Sequence, residues 1–237
     1  MNGAGASDVD WLAARLGWRC TDPALLATAL THRSHGGRHN ERLEFLGDAV
    51  LSCLIAERLY HEFPAASEGE LSRYRAALVS GEALADLAEG LSLGERLKLG
   101  AGELRSGGFR RRSTLADAFE AIIGAMYLDG GLEAARRALA PLIAPRIAAL
   151  GAAPPAKDPK TRLQEYLQER ALPLPQYVVE SVSGEPHEQT FTVRGLIQRE
   201  GEGPLHVAEG RGTSRRRAEQ AAAERLLAAL GAGEPAP

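Results

Sequence analysis

The 237-residue chain has few cysteines, few aromatic residues and no long apolar run. Its two cysteines, Cys20 and Cys53, are too few for a disulfide framework or a four-ligand zinc site, and they favour a reducing compartment. A run of about 18 apolar residues, which a membrane-spanning helix requires, does not occur. The first ten residues lack the basic and apolar regions of a secretory signal. These absences predict a cytoplasmic globular protein that does not enter a membrane.

An excess of positive charge is also absent. The chain carries 28 Lys and Arg against 31 Asp and Glu, a net charge of −3, and residues 157–230 hold 11 of each kind. Any binding to a polyanion must therefore come from local patches. The glycine motifs that cradle nucleotide phosphates are missing as well, so no nucleotide cofactor is expected.

Length and composition predict two unequal domains. Residues 151–157 form a proline-rich stretch without hydrophobic periodicity, which is typical of a linker. The chain before it, residues 1–150, is predicted to be nearly all helix. Residues 158–230 follow the order α-β-β-β-α, with both helices on one face of a small sheet, and residues 231–237 are a tail. The expected fold class is α+β.

Capping residues and hydrophobic periodicity predict the helices of the first domain. One begins at Ser7 and stops at Gly17, and a second begins at Thr21. Longer helices are expected over residues 40–62, 68–89, 113–129 and 132–150, with a glycine-rich loop at 91–112. In the second domain, strands are predicted at 177–182, 189–197 and 205–209, between helices at 158–170 and 214–230.

Acidic residues interrupt two of these helices. At 100° per residue, Glu41, Glu44 and Asp48 fall within an arc of about 60° at the border of an apolar face. That face includes Cys53, which is therefore expected in the core. Asp117 and Glu120 lie three residues apart on a helix that is otherwise apolar on nearly every side. Gly124 shares their stripe and leaves room for another element to approach closely.

Three interpretations of these acids are open from their spacing. They form a solvated acidic face, they pair with Arg42, Arg73 or Arg75, or they bind a divalent metal ion. Carboxylates on an apolar helix are costly unless a cation compensates them, which favours the metal site. Oxygen ligands without nearby Cys or His select Mg²⁺ or Mn²⁺ over zinc, and such ions suit hydrolysis at phosphorus.

Two runs of arginine are candidate phosphate contacts. Arg215, Arg216 and Arg217 follow Ser214 in the first turn of the last predicted helix, where cations oppose the helix dipole. Because a broken local rule often marks function, this helix start is predicted to bind phosphates; the alternative is a solvated charge run. For the run at 110–112, phosphate contact and simple solvation are equally compatible with the sequence.

These motifs together resemble the ribonuclease III family. The resemblance covers almost all of residues 8–230, in the bacterial arrangement of a nuclease domain followed by a double-stranded-RNA-binding domain. Residues 40–51, Asn-Glu-Arg-Leu-Glu-Phe-Leu-Gly-Asp-Ala-Val-Leu, are similar to the family's signature. Further matches are found at 31–35, 68–72, 100–103, 115–121 and 127–131. Thr114 stands where an aliphatic residue is expected.

The resemblance implies an Mg²⁺-dependent homodimeric endonuclease that cuts double-stranded RNA, leaves 5′-phosphate and 3′-hydroxyl ends with short 3′ overhangs, and matures structured precursors such as ribosomal RNA. The family pattern assigns metal binding to Glu44, Asp48, Asp117 and Glu120, with Asp48 and Glu120 as catalytic residues. It assigns secondary acidic roles to Glu41, Glu68 and Glu103. A non-catalytic RNA-binding scaffold is the alternative, which the intact acids disfavour.

The second domain is similar to double-stranded-RNA-binding domains. On that pattern, Gln164 and Glu165 on the first helix contact the RNA minor groove, and His187 lies in a loop that enters another minor groove. Ser214, Arg215, Arg216 and Arg217 then face the phosphates between the two grooves. Contacts of this kind read the A-form shape of the duplex more than its sequence.

Overall fold

The computed structural model describes residues 7–152, 157–185, 188–199 and 203–231. The chain divides into two compact units, Met1–Pro155 and Ala156–Pro237. Within the described ranges, no helix is long and apolar enough to cross a membrane. The predicted α+β class is confirmed, with an all-helical first unit and a three-stranded sheet in the second.

In its described residues, the first unit contains seven α-helices. They are α1 (Asp8–Leu16), α2 (Pro23–Ala29), α3 (Glu41–Glu62), α4 (Glu68–Leu78), α5 (Gly81–Gly90), α6 (Ala101–Arg105) and α7 (Arg112–Ala152). The caps are those the sequence predicts: the Ser7 hydroxyl accepts a hydrogen bond from the Asp10 backbone N–H, and Gly17 ends α1 in the left-handed conformation. Helix α7 is interrupted at Gly131, whose φ of 74° is not helical.

The single helix predicted over residues 68–89 is wrong, because the chain forms α4 and α5 instead. Ser67 and Glu70 form a capping box at the start of α4. The second start is set by Ser80, whose hydroxyl accepts a hydrogen bond from the Ala83 backbone N–H at 3.2 Å. The apolar periodicity continues through residues 68–89, so it gives no sign of this second helix start.

The core of the first unit surrounds the first half of α7. Phe119, Ile122 and Ile123 on this helix are fully buried, as its apolar sequence predicts. Helix α3 crosses α7 in direct backbone contact: a Cβ atom at Gly47 would overlap the carbonyl oxygen of Glu120, and one at Gly124 would overlap that of Leu43. The predicted close approach at Gly124 is therefore present, and α3 is the element that makes it.

Neighbouring helices bury only part of the apolar face of α3. Leu43, Val50 and Leu54 are buried, whereas Phe45 is 81% exposed. Cys53 is also exposed, so its predicted place in the core is wrong. The apolar arc of α3 is wider than the surface that α7 and its neighbours cover, and the uncovered side carries Phe45 and Cys53.

The second unit packs two helices on one face of an antiparallel sheet. Its elements are α8 (Pro159–Glu169), β1 (Gln176–Ser183), β2 (Thr190–Gln198), β3 (Pro204–Gly212) and α9 (Arg215–Ala229), and the strand order is β1-β2-β3. Val193 pairs with Val179 on β1 and with Gly210 on β3. A side chain at Gly210 would collide with the backbone of α9, so this glycine sets the distance between sheet and helix. The core joins Leu163 and Leu167 of α8 to apolar residues of β2 and α9.

We expect Gly124→Ala to lower the free energy of unfolding by at least about 1–3 kcal/mol, because the added methyl group has to push α3 away from α7. Urea unfolding of the purified protein measures the change. Gly90→Ala, at the end of α5 with open space around its Cβ position, is the matched control and should be neutral or slightly stabilising. Equal stability of the two variants would contradict the backbone-contact crossing.

Candidate metal centre and nucleic-acid interface

Three carboxylates from two helices meet beside the crossing of α3 and α7. One carboxylate oxygen each from Glu44, Asp117 and Glu120 lies within 4.8 Å of the other two, and all three residues are half-buried. Glu44 stands one turn before Gly47 on α3, and Glu120 one turn before Gly124 on α7. The glycine contact thus brings these acids together from positions 76 residues apart in the sequence, the difference between 120 and 44.

Burial raises the pKa values of all three acids, and repulsion from nearby carboxylates adds to the rise. For Glu120, burial and, to a smaller extent, the charges of Asp48, Glu44 and Asp117 together raise the pKa from 4.5 to about 7. The pKa of Glu44 is raised by burial and by Asp117, and that of Asp117 mainly by burial. The cluster therefore has more negative charge than its surroundings neutralise, as expected of a cation site.

Asp48, the fourth acid of the predicted metal set, is an exposed residue of α3. It does not belong to the group of three, but it is the largest charge contribution to the raised pKa of Glu120. Asp48 and Glu120 therefore act on each other electrostatically, although they come from different helices.

A pocket of about 200 Å³ adjoins the cluster and is lined by both acids and cations. Arg33 pairs with Glu41 at 3.2 Å, and Arg111 pairs with Glu103 at 3.0 Å. Glu41 also lies 3.7 Å from His39. Glu41 and Glu103 thus sit in ion pairs at the edge of the site, while Glu44 and Asp117 also line the pocket.

Glu68 is not part of the three-acid group. It is the first residue of α4, and its carboxylate accepts a hydrogen bond from the Ser72 hydroxyl at 2.9 Å. The structure thus shows it in the polar first turn of a helix, where a negative charge is favourable.

Two cations that interact with the acids were not predicted from the sequence. Arg33 lowers the pKa of Glu44 and of Asp117, and the charge of His32 opposes the rise at Asp117. Both residues lie in the turn that precedes α3, so helical periodicity could not place them. The arginine run at 110–112 also divides: Arg111 faces Glu103, whereas Arg112 pairs with Asp86 of α5. That run is not one surface patch.

The start of α9 presents an exposed group of arginines. The Ser214 hydroxyl caps the helix by accepting a hydrogen bond from the Arg217 backbone N–H at 3.3 Å. The Arg216 side chain is 82% exposed, and Arg217 donates to the Thr213 hydroxyl. Arg215, 65% exposed, pairs with Glu219 at 2.9 Å. This turn offers backbone N–H groups and guanidinium groups to an anion.

Two of the other predicted RNA contacts, Gln164 and Glu165, lie on α8. Gln164 is exposed, and Glu165 pairs with Lys157 at 2.7 Å. His187 lies outside the described residues, as do residues 153–156 of the predicted linker and residues 232–237 of the tail.

Comparison with known proteins accounts for both units. Residues 22–147 match the family model "Ribonuclease-III-like", and residues 159–230 match the "Double-stranded RNA binding motif". Ribonuclease 3 of Nitrosococcus oceani is 56% identical over 221 residues, which cover 92% of this chain and 93% of that protein. Ribonuclease 3 of Vibrio vulnificus is 54% identical over 224 residues, 94% of this chain and 98% of the relative.

Solved structures agree with these relatives. The nuclease domain of ribonuclease III from Campylobacter jejuni is 40% identical, with a TM-score of 0.54, over 64% of this chain and 100% of that chain. A second structure of that domain, described for structural flexibility in the region involved in dimer formation, is 43% identical with the same TM-score. It covers 59% of this chain and 94% of that one.

The family matches span more than half of the chain, and the relatives align with it over nearly their full lengths. The chain therefore belongs to the ribonuclease III family and is an endoribonuclease with a nuclease domain followed by a double-stranded-RNA-binding domain.

Proposed function

We propose that this protein hydrolyses the phosphodiesters of double-stranded RNA with Mg²⁺ in the cytoplasm, and that Mn²⁺ can substitute. The products carry 5′-phosphate and 3′-hydroxyl ends with short 3′ overhangs, and the substrates are structured precursors such as ribosomal RNA. The convergence of Glu44, Asp117 and Glu120, with raised pKa values, is the observation that carries this proposal.

The donor set fits a hard divalent cation. Its three half-buried members offer carboxylate oxygens only, and their repulsion is relieved when a cation binds. Glu44, Asp117 and Glu120 would hold Mg²⁺ together with Asp48. When bound, the ion orients and activates water and screens the charge that develops on the phosphate.

Hydrolysis joins the oxygen of one water molecule to phosphorus and breaks the bond between phosphorus and the 3′ oxygen. One proton of the water ends on the departing 3′ oxygen, so a 3′-hydroxyl and a 5′-phosphate result. Without a cation, Glu120 retains a proton up to about pH 7. Binding of a cation favours its ionised form, which completes the donor set at neutral pH.

The RNA-binding part of the proposal concerns residues 158–230, joined by the linker 151–157 to the nuclease domain 1–150, with 231–237 as a tail. Gln164, Glu165 and His187 would contact minor grooves, and the capped start of α9, from Ser214 to Arg217, would contact the phosphates between them. The exposed guanidinium groups of α9 and the match to the RNA-binding motif support this assignment.

A homodimer supplies one catalytic site for each strand of the duplex, since a two-fold axis relates the strands as it relates two copies of the chain. Phe45 supports this assembly because it is a large apolar side chain that is 81% exposed on the uncovered side of α3. It borders a largely apolar pocket of about 830 Å³ that Leu25, Leu46 and Leu128 also line. Such an exposed patch is typical of a protein–protein contact.

Replacing Glu120 by Gln removes one charged ligand and should reduce cleavage of labelled duplex RNA in Mg²⁺ by about 100-fold or more, while duplex binding persists. The control is Glu133→Gln, further along α7, whose side chain is 66% exposed and pairs with Arg136. Undiminished cleavage by Glu120→Gln would contradict the assigned role. Intact RNA with the unaltered protein, in both Mg²⁺ and Mn²⁺, would instead indicate a scaffold.

The raised pKa of Glu120 predicts that the protein freed of divalent ions loses stability as pH rises. Between about pH 4.5 and 7, the folded state binds more protons at this residue than the unfolded state does, so the free energy of unfolding falls with pH. After allowance for solvent screening, we expect a fall of about 2 kcal/mol.

Urea unfolding in a chelator at pH 5 and pH 7.5 measures this fall, with Glu120→Gln as the reference protein that lacks the titrating group. Addition of Mg²⁺ at pH 7.5 should restore stability to the unaltered protein. The same pH dependence in both proteins would show that Glu120 does not carry the effect.

Phe45→Ser should weaken the homodimer by about 100-fold or more, because each dimer loses two buried aromatic side chains worth about 2 kcal/mol each. Sedimentation equilibrium gives the dissociation constant. Tyr60→Ser changes another exposed aromatic residue of α3, 68% exposed, and is the control. A dimer of unchanged affinity would exclude Phe45 from the contact, and a monomer at every concentration of the unaltered protein would refute the assembly.

A further inference from the structure

Two cations near the start of α9 are bound by one carboxylate. Glu219 accepts hydrogen bonds from Lys160 Nζ at 2.6 Å and from Arg215 Nε at 2.9 Å. Its side chain is only 12% exposed, whereas that of Arg215 is 65% exposed. The guanidinium of Arg215 therefore reaches solvent, but its charge is paired with an acid on the inner side of its own helix.

Glu219 stays ionised under ordinary conditions. Burial would raise its pKa, but the hydrogen bonds from Lys160 and Arg215 outweigh burial and hold the pKa below its ordinary value. Because the carboxylate is shielded from water, its attraction for the two cations is screened less than that of an exposed ion pair. The pairing is therefore a lasting feature of the free protein.

The neighbouring arginines are in a different state. Arg216 is 82% exposed and lies 4.0 Å from Asp158, and Arg217 donates to the neutral hydroxyl of Thr213. Both retain guanidinium N–H groups that point to solvent. The three arginines that the sequence presents as equivalent thus differ in how much charge they can offer to a phosphate.

We propose that Glu219 is a positioning residue that holds Arg215 away from RNA phosphates. Duplex binding is therefore weaker, and depends less on salt, than it would be with three unpaired arginines. This inference rests on the proposed binding of RNA by α9. A phosphate that approaches Arg215 has to compete with the carboxylate of Glu219, so the contact yields less free energy than an unpaired arginine would.

Lys160 contributes less to this effect. Its ammonium group also lies over the ring of Tyr177, 4.7 Å from the centroid. This second contact remains when the charge of Glu219 is removed, and it holds Lys160 against the sheet. Neutralising Glu219 should therefore free one cation, Arg215.

The test uses the full-length chain carrying Glu120→Gln, so that the RNA is bound but not cut. Fluorescence anisotropy measures binding to a labelled duplex of about 30 base pairs, longer than the ~16 that one such domain spans, over a series of salt concentrations. Adding Glu219→Gln should raise the affinity about fivefold near 0.1 M salt. The slope of log K against log salt should steepen by about one for each RNA-binding domain that contacts the duplex, the value for one more phosphate contact per domain.

Glu224→Gln is the matched control, because Glu224 is an exposed acid of the same helix and its loss changes the net charge equally. It should leave the slope unchanged. An unchanged slope for Glu219→Gln would overturn the inference while leaving RNA binding intact. A parent chain that binds no duplex at any salt concentration would instead overturn the proposed function.

A second comparison tests whether Glu219 acts by pairing with Arg215 or by repelling the RNA directly. In a chain that also carries Arg215→Gln, the gain from Glu219→Gln should vanish, and a persistent gain would overturn the inference. Arg215→Gln alone should weaken binding less than Arg216→Gln does. These two single variants change exposed residues and leave Glu219 in place, so they can be measured even if Glu219→Gln fails to fold. If Arg215→Gln lowers the RNA affinity as much as Arg216→Gln does, or more, the inference is overturned.

Discussion

Where α3 crosses α7, the two backbones touch because Gly47 and Gly124 have no side chains. This contact fixes the distance between Glu44 and Glu120, each one turn away from a glycine. The close approach of the acids costs free energy, because they repel each other and lose hydration. The same two effects raise the pKa values of Glu44 and Glu120. Tight apolar packing around α7 supplies the free energy that keeps the helices together despite this strain.

Sequence patterns predict elements that follow from local chemistry. The caps at Ser7 and Gly17 and the α-β-β-β-α order of the second unit agree with the structure, because each depends on a few neighbouring residues. Acids on apolar helices predict a metal site, and the glycine at 124 predicts a close approach by another element, but neither pattern identifies α3 as that element. Patterns fail where another element decides the outcome: the exposure of Cys53 depends on how far neighbouring helices extend over α3.

The two domains group charges of opposite sign. The nuclease domain collects carboxylates whose repulsion is only partly relieved by Arg33 and His32. The RNA-binding domain collects guanidinium groups, one of which is already paired with Glu219. A net charge of −3 therefore conceals a cluster of acids in one domain and a group of exposed arginines in the other. Local arrangement, and not the total charge, determines which partner each domain attracts.

Glu44 and Phe45 are adjacent residues of α3 with different surroundings. Glu44 is half-buried in the acid cluster, and Phe45 projects into solvent. Both belong to one uninterrupted helix of 22 residues, so no hinge separates them. Whatever fixes the backbone at Phe45 also fixes the backbone of Glu44, and the rigidity of α3 thereby connects an exposed surface to the acid cluster.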